Sequence, residues 1–471
     1  MLVSSEASTF NSGEAPHPSR KVRSIPNIGV IKAQKPDAIL GDFLPPFDML
    51  YQRPVSSFKT RALKPVRLLS NSSYHPRRLI HNYSTTAKMT PSIEEANSKA
   101  ATHKKVNAWQ TPGPAAYDFR SDTITTPNES MLNAIINTTL FDDVYLEDTT
   151  TTDLEKSIAE LSGHEAALLV MSGTMGNQVA LRTHLTAPPQ SVLCDVRGHI
   201  VNYEAGGVSS LSSAMMIAIS PSNGHHLTLE DVKKHAVISD NVHACPTRVI
   251  SLENTLDGMI MPLDEVREIS AFARENDIKM HLDGARIWEL VAADAGSLPE
   301  FTTCFDSASL CFSKGLGAPI GSIIVGSKSF IDHSRRIRKM IGGGTRQAGI
   351  ITAAARVAVQ ENFGTGPRGE GGKLRGSHAR ARKVAEMWRS KGGKLAKPVE
   401  TNMVWLDIED AGYSAEQFAE LGATEDLKII GGRLVVHYQI TEDAVERLGR
   451  IMDKMLEKKK TNGTNGTNNG H

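Results

Sequence analysis

Lys314 stands between Ser313 and Gly315, after the uncharged run Ser309 to Phe312 and before a second one, Ile320 to Val325. Small residues close by (Ala308, Gly317, Ala318, Gly321) suit a tight turn at the end of a buried strand. Burial disfavours an ammonium ion, so a lysine in such a place is more readily the neutral amine that attacks carbonyls. Upstream, His281-Leu-Asp-Gly-Ala-Arg286 sets the Asp283 carboxylate and the Arg286 guanidinium three residues apart at another strand end. A lysine for a Schiff base and an aspartate for a pyridinium nitrogen are the pair that pyridoxal phosphate requires. Taken alone, each reads equally as a surface lysine and a helix-capping or turn aspartate. A third stretch, Ser172-Gly-Thr-Met-Gly-Asn177, lies where a strand turns into a helix. Glycines there let backbone N–H groups approach an anion, and the helix N-terminus favours negative charge. Gly173 and Thr174 form either a phosphate cradle or a plain βα turn. The stretch lacks the GxGxxG and GxxxxGK[ST] spacings, which argues against dinucleotides and nucleoside triphosphates.

Alternating elements must hold these residues. Short apolar runs at Ala166 to Met171, Ser191 to Asp195, Met215 to Ile219, Arg248 to Leu252, Lys279 to Leu282, Ser309 to Phe312 and Gly321 to Val325 read as strands. Helical patterns fall at Pro127 to Thr139, at Thr152 to Leu161 with Thr152 or Asp153 as cap, at Pro262 to Glu275 and at Gln347 to Gln360. Strands alternating with helices predict an α/β domain around a mainly parallel sheet. Gly364 to Gly376 reads as a flexible link or loop. Beyond it, strands at Asn402 to Ile408 and Arg433 to His437, helices including Ala415 to Leu421, and a last helix capped by Thr441 predict a small C-terminal α+β domain. The expected divisions are an extension over 1–115, a large domain with its N-terminal arm over 116–365, the small domain over 366–458, and a disordered low-complexity tail over 459–471.

Among 471 residues, 40% are hydrophobic and 22% charged, an ordinary globular composition, and the net charge is +1. No general electrostatic attraction to nucleic acid or membrane follows, and no uncharged run approaches a membrane span. Cys194, Cys245, Cys304 and Cys311 show neither metal-ligand spacing nor a disulfide framework, so no metal is expected and a reducing, intracellular compartment fits. Between Met49 and Ile93 the chain is basic, serine-rich and free of Asp and Glu, the composition of a mitochondrial transit peptide. Starts at Met49 and Met89 would give a mitochondrial and a cytosolic form; a basic extension without an address fits the same residues.

Eight blocks stand in one order: Asp118-Phe-Arg-Ser-Asp-Thr123, Asp142-Asp-Val-Tyr145, Ser172-Gly-Thr-Met-Gly-Asn177, His199 with Tyr203-Glu-Ala-Gly-Gly207, Leu252-Glu-Asn-Thr255, Leu282-Asp-Gly-Ala-Arg286, Ser313-Lys-Gly-Leu-Gly317 and Gly342-Gly-Gly-Thr-Arg-Gln347. In these, over roughly residues 117 to 456, the chain resembles the threonine aldolase family. The resemblance implies a fold type I pyridoxal-phosphate enzyme with a seven-stranded sheet, working as a homo-oligomer, dimer or tetramer. It implies retro-aldol cleavage of L-threonine or L-allo-threonine to glycine and acetaldehyde. Another lyase or aminotransferase of the same fold, or a non-catalytic cofactor-binding protein, is the alternative.

By the same resemblance Lys314 carries the Schiff base, Gly173 and Thr174 bind the cofactor phosphate, and Arg346 or Lys339 assists, across a subunit interface if need be. His199 stacks on the pyridine ring, Asp283 pairs with its nitrogen, and Arg286 lies near the ring hydroxyl and the substrate carboxylate. Ser121 and Arg433 orient that carboxylate, and His199 or an ordered water takes the hydroxyl proton. Two residues depart from the family pattern. Leu256 follows Glu-Asn-Thr where histidine is frequent, which removes one candidate base. Leu146 occupies a position where glycine is usual, and a local change of the loop is expected there.

Overall fold

The apolar runs assemble as one layer. A computed structural model describes residues 107–465, with side chains as far as Glu457. Strands β1 (Ala166–Val170), β2 (Ser191–Asp195), β3 (Met215–Ile219), β4 (Thr247–Glu253), β5 (Lys279–Gly284), β6 (Ser307–Cys311) and β7 (Ser322–Gly326) form a sheet in the order β1-β7-β6-β5-β4-β2-β3. Strand β7 runs antiparallel to β1 and β6, and the remaining pairs are parallel. The expected mainly parallel, seven-stranded α/β sheet is therefore present. Strands β2, β6 and β7 are buried along their whole length, as continuous apolar runs covered on both faces must be.

Helix starts are where periodicity misleads. Helix α1 is Glu129–Ile136, shorter than the expected Pro127 to Thr139, because the Asn128 side chain caps it by accepting from the Met131 N–H. Helix α2 runs Thr149–Ser162 and is capped by Asp148, not by Thr152 or Asp153. One Asp148 oxygen accepts from Thr151 N–H and the other from Gly349 N–H, so the cap also ties a distant segment. The threonine run after Asp148 has weak helix propensity, which hides the first turn from a reading of pattern. Gly163 ends α2 at φ +73°, where a Cβ would meet Thr303 and Pro299. Helices α3 (Gly173–His184), α4 (Leu263–Glu275), α5 (Lys328–Met340) and α6 (Gly349–Ala358) follow. Helix α6 runs on into a π-helical turn at Val359–Phe363.

Residues 364–373 form a loop, one of the two expected readings, and hydrogen bonds close it. Gly364 pairs with Gly371, Thr365 N–H donates to Glu370, and the Pro367 carbonyl accepts from Leu298 N–H. Beyond this closed loop, helix α7 (Leu374–Ser390), strands β8 (Met403–Trp405) and β9 (Arg433–Val435), helix α8 (Ala415–Thr424) and helix α9 (Glu442–Asn465) enclose a second core around Trp388, Phe418 and Leu434. Phe119 is fully buried in that core, and its backbone bonds both Lys428 and Val435. The N-terminal arm, expected with the large domain, thus packs on both cores, Phe119 in the small one and Met131 in the large one. Helix α9 continues to Asn465, past the expected tail boundary at 459, since extending a formed helix adds a hydrogen bond per residue without a new nucleus. The described residues also reach back into the expected extension over 1–115, where Trp109 is half-buried against the large core. The basic segment 49–93 lies outside the described residues. No helix among the described residues is long and apolar enough to cross a membrane.

Candidate active site

Parallel strands end together, so the residues just past β4, β5 and β6 share one edge of the sheet. In register, Glu253 of β4 faces Asp283 of β5, and Asp283 faces Ser309 of β6. Lys314 follows β6 in a turn closed by Gly317 N–H donating to the Lys314 carbonyl, which also accepts from the Thr125 hydroxyl at 2.8 Å. Gly317 has φ +76°, and a Cβ there would run into the Tyr438 hydroxyl. Lys314 itself is partly buried and opens on a cavity of about 580 Å³. Among the described residues no carboxylate forms a salt bridge with its amine.

The same cavity is lined by Ser121, His199, Glu253, Leu256, Arg286 and Arg433. Arg433 opens β9 and donates to the Arg120 carbonyl at 3.1 Å. Ser121 caps a short helical turn, accepting from the N–H and the hydroxyl of Thr123. Arg286 grips Asp122 in a bidentate pair, Nε to Oδ2 at 2.8 Å and NH2 to Oδ1 at 2.6 Å. Burial pushes the Asp122 carboxyl upward, but the Arg286 charge and its hydrogen bonds win and hold it at about 2. Asp122 is fully buried and was not singled out from sequence; its place inside the Asp118 to Thr123 block was the available signal.

Asp283 is buried, its Oδ2 accepting from Asn177 Nδ2 at 2.7 Å and its Oδ1 from Ala285 N–H at 3.1 Å. Asn177 lies on α3, one turn beyond Gly173, so the Gly-Thr turn and the Asp283 strand end are tied together. His199 Nδ1 lies 2.7 Å from Glu204 Oε1, and its backbone N–H donates to Glu253 Oε2 at 2.8 Å. The Glu204 hydrogen bond raises the His199 pKa against the opposing effect of burial, with Asp283 adding to the rise. Burial, then the neighbouring Asp283 charge, push the Glu253 carboxyl up to about 8. Glu204, Asn177 and Glu253 were all missed as site residues, although each sits in a motif block. Replacing Glu204 with glutamine is expected to move the His199 titration to lower pH, measured by NMR of the ring protons; an unmoved curve would contradict the pairing.

Five predicted residues do not line the cavity: Asp283, Gly173 and Thr174, which are joined to one another through Asn177, and Lys339 and Arg346, which lie apart. Arg346 is 65% exposed at its side chain and pairs with Asp142 at 2.9 Å, and Lys339 is exposed on α5. Neither lines the cavity around Lys314 within one chain. The loop that carries Arg346 does approach the Gly173 turn: a Cβ on Gly343 would lie 2.8 Å from Met175 Sδ. Leu146, expected to mark a changed loop, has a left-handed backbone at φ +60°, the conformation a glycine adopts most easily.

The beta-eliminating lyase model matches residues 118–411. Aldolase vrtJ of Penicillium aethiopicum is 52% identical over 385 residues, 82% of this chain and 94% of that protein. The low-specificity L-threonine aldolase of Eremothecium gossypii is 44% identical over 349 residues, 74% and 90% of the two chains. The chain belongs to the beta-eliminating lyase and threonine aldolase family. Alanine racemase TOXG of Cochliobolus carbonum is also similar, 46% identical over 350 residues, 74% and 90%. Threonine aldolase of Leishmania major shares the fold at 18% identity, with a TM-score of 0.62 over 72% of this chain and 99% of that one. That fold is type I of the pyridoxal-phosphate enzymes. The residues present fit that cofactor: a lysine amine without an ion pair, a buried carboxylate held by two donors, a helix N-terminus, and a cavity of about 580 Å³ within the usual range for small-molecule sites.

Proposed function

We propose that the chain cleaves L-threonine and L-allo-threonine to glycine and acetaldehyde with pyridoxal phosphate. The observation that carries the reading is one cavity in which Lys314 shares walls with Ser121, Arg286 and Arg433. Bound pyridoxal phosphate supplies an electron sink for the pair released as the Cα–Cβ bond breaks. Lys314 would hold the cofactor, Asp283 would pair with its ring nitrogen, and Gly173 and Thr174 would take its phosphate. Arg433 and Ser121 bind the substrate carboxylate, which fixes the Cα–Cβ bond relative to the ring. His199 would stack on that ring. With its Nδ1 on Glu204, His199 keeps Nε2 as the position that accepts the hydroxyl proton. Leu256 leaves an apolar wall where a second base would stand, so the choice between threo and allo substrates rests on shape and on His199.

Purified full-length protein offered threonine and allo-threonine separately is expected to release acetaldehyde from at least one of them, without pyruvate and without a keto-acid acceptor. Interconversion of alanine enantiomers with no acetaldehyde would overturn the reading in favour of a racemase.

The active unit is a homo-oligomer, dimer or tetramer, in which Arg346 or Lys339 reaches the cofactor phosphate of a neighbouring subunit. Support comes from exposed apolar side chains that flank Arg346 and its partner Asp142 in sequence, namely Leu140, Phe141, Tyr145, Met340 and Ile350. Inactive Lys314→Ala and Arg346→Ala subunits, mixed after mild dissociation, are expected to regain part of the activity; no regain would sink the shared site. The two cores support a division near residue 365. A mitochondrial form directed by residues 49–93 is tested by fusing them to a fluorescent reporter, and a purely cytosolic signal would rule it out.

A further inference from the structure

The Asn177 side chain sits between two carboxylates and an imidazole. Its Nδ2 donates to Asp283 Oδ2 at 2.7 Å and to Glu204 Oε1 at 2.8 Å, and its Oδ1 lies 3.1 Å from His281 Nε2. All four side chains are buried. An amide nitrogen carries two hydrogens, and here both are used. Turned over, the amide would set its oxygen against both carboxylates. His281 Nε2 must therefore carry a hydrogen and donate to Asn177 Oδ1.

The rest of the polarity follows from that hydrogen. His281 Nδ1 holds a lone pair and accepts from the Ser307 hydroxyl at 2.9 Å; Ser307 in turn lies 2.8 Å from His184 Nε2, which donates to it. Burial pushes the two imidazoles down to about 4 and about 3, so both are neutral and each has one tautomer. Donors run one way, from His184 through Ser307, His281 and Asn177 to the carboxylates. Strand geometry makes this arrangement available, since His281 and Asp283 are two residues apart on β5 and project from the same face, the face that α3 crosses.

We propose that His281 is a positioning residue: its Nε2–H locks the Asn177 amide in the one orientation that presents Asp283 and Glu204 side by side as acceptors. Pairing of Asp283 with the cofactor nitrogen and of Glu204 with His199 then both depend on an imidazole that is hydrogen-bonded to Asn177 and Ser307 and to neither carboxylate. This rests on the reading of Asp283 as the ring-nitrogen partner. The Ser307–His184 pair behind His281 keeps the donor on the correct nitrogen.

Two substitutions separate orientation from packing. Glutamine at 281 places an amide N–H close to the imidazole Nε2 and can still donate to Asn177. Asparagine reaches only as far as Nδ1, keeps a partner in Ser307 and leaves Asn177 Oδ1 without its donor. In the full-length protein the dissociation constant for pyridoxal phosphate, titrated by absorbance without substrate, is expected to rise about 10-fold for His281→Asn and to stay within about 3-fold for His281→Gln. Activity is expected to fall in kcat more than to rise in KM for His281→Asn only. Equal losses in the two variants would overturn the proposal. If neither variant folds, wild-type protein labelled with 15N-histidine decides: His281 must appear as the neutral Nε2–H tautomer, and an Nδ1–H tautomer or an imidazolium would overturn the assignment. That spectrum is independent of cofactor binding, so failure of the enzymatic reading and failure of the positioning role are told apart.

Discussion

Replacing Lys314 with alanine abolishes the absorbance of lysine-bound cofactor and lowers threonine cleavage by more than about 10³-fold. The expectation rests on an amine that opens on the cavity without an ion pair. Among the described residues no carboxylate pairs with the Lys314 amine, so the lysine has no structural bond to lose. Its backbone carbonyl, by contrast, accepts from both Gly317 N–H and the Thr125 hydroxyl, and alanine preserves both bonds. The variant should therefore fold with a Tm close to that of the wild type while losing its chemistry. Absorbance spectra of the two proteins, each incubated with pyridoxal phosphate and passed through a desalting column, check this directly. Retained absorbance in the variant would mean that another amine carries the cofactor.

The sheet was legible because most of its strands are covered on both faces, β3 at the edge being the open one. Covered strands are mostly apolar and uncharged, and such runs stand out wherever they are bounded by polar turns. The same logic made Lys314 and Asp283 visible, as charged residues appearing where an apolar run stops. What stayed hidden was carried by contacts between distant segments. Asp122 means little until Arg286, far along the chain, is seen to hold it. Asn177, inside a motif read as a phosphate turn, gains its role only through Asp283 and His281. Asp148 caps α2 while binding Gly349, and Phe119 crosses into the small core, facts that no local pattern contains. Arg346 illustrates the converse. Its motif was recognisable, yet one chain leaves it paired with Asp142 at the surface.

Asp283→Asn isolates the charge proposed to keep the cofactor ring protonated. A carboxylate near a pyridine nitrogen favours the protonated ring by about 1–3 pKa units, and each unit is a factor of 10 in the population of that form. Loss of that charge is expected to lower kcat about 10- to 10³-fold with a smaller change in KM, since Ser121 and Arg433, proposed to bind the substrate carboxylate, are unchanged. Asparagine also leaves a mark on stability. Both neighbours of the Asp283 carboxylate, Asn177 Nδ2 and Ala285 N–H, are donors, so either rotamer of the new amide turns an N–H toward an N–H. A buried donor left unmatched costs about 1–3 kcal/mol, which lowers the Tm of the variant. The pH dependence carries a third signature. Glu253 has its folded pKa raised from 4.5 to about 8, first by burial and then by Asp283. The folded protein thus binds more protons than the unfolded chain between those values, and this group makes stability fall as pH rises from 4.5 to about 8. Removing the Asp283 charge removes one of the two causes, so the fall becomes shallower and its upper limit moves to lower pH. Thermal unfolding of the cofactor-free proteins from pH 5 to 9 measures it, and identical pH profiles for variant and wild type would falsify the coupling between the two carboxyl groups.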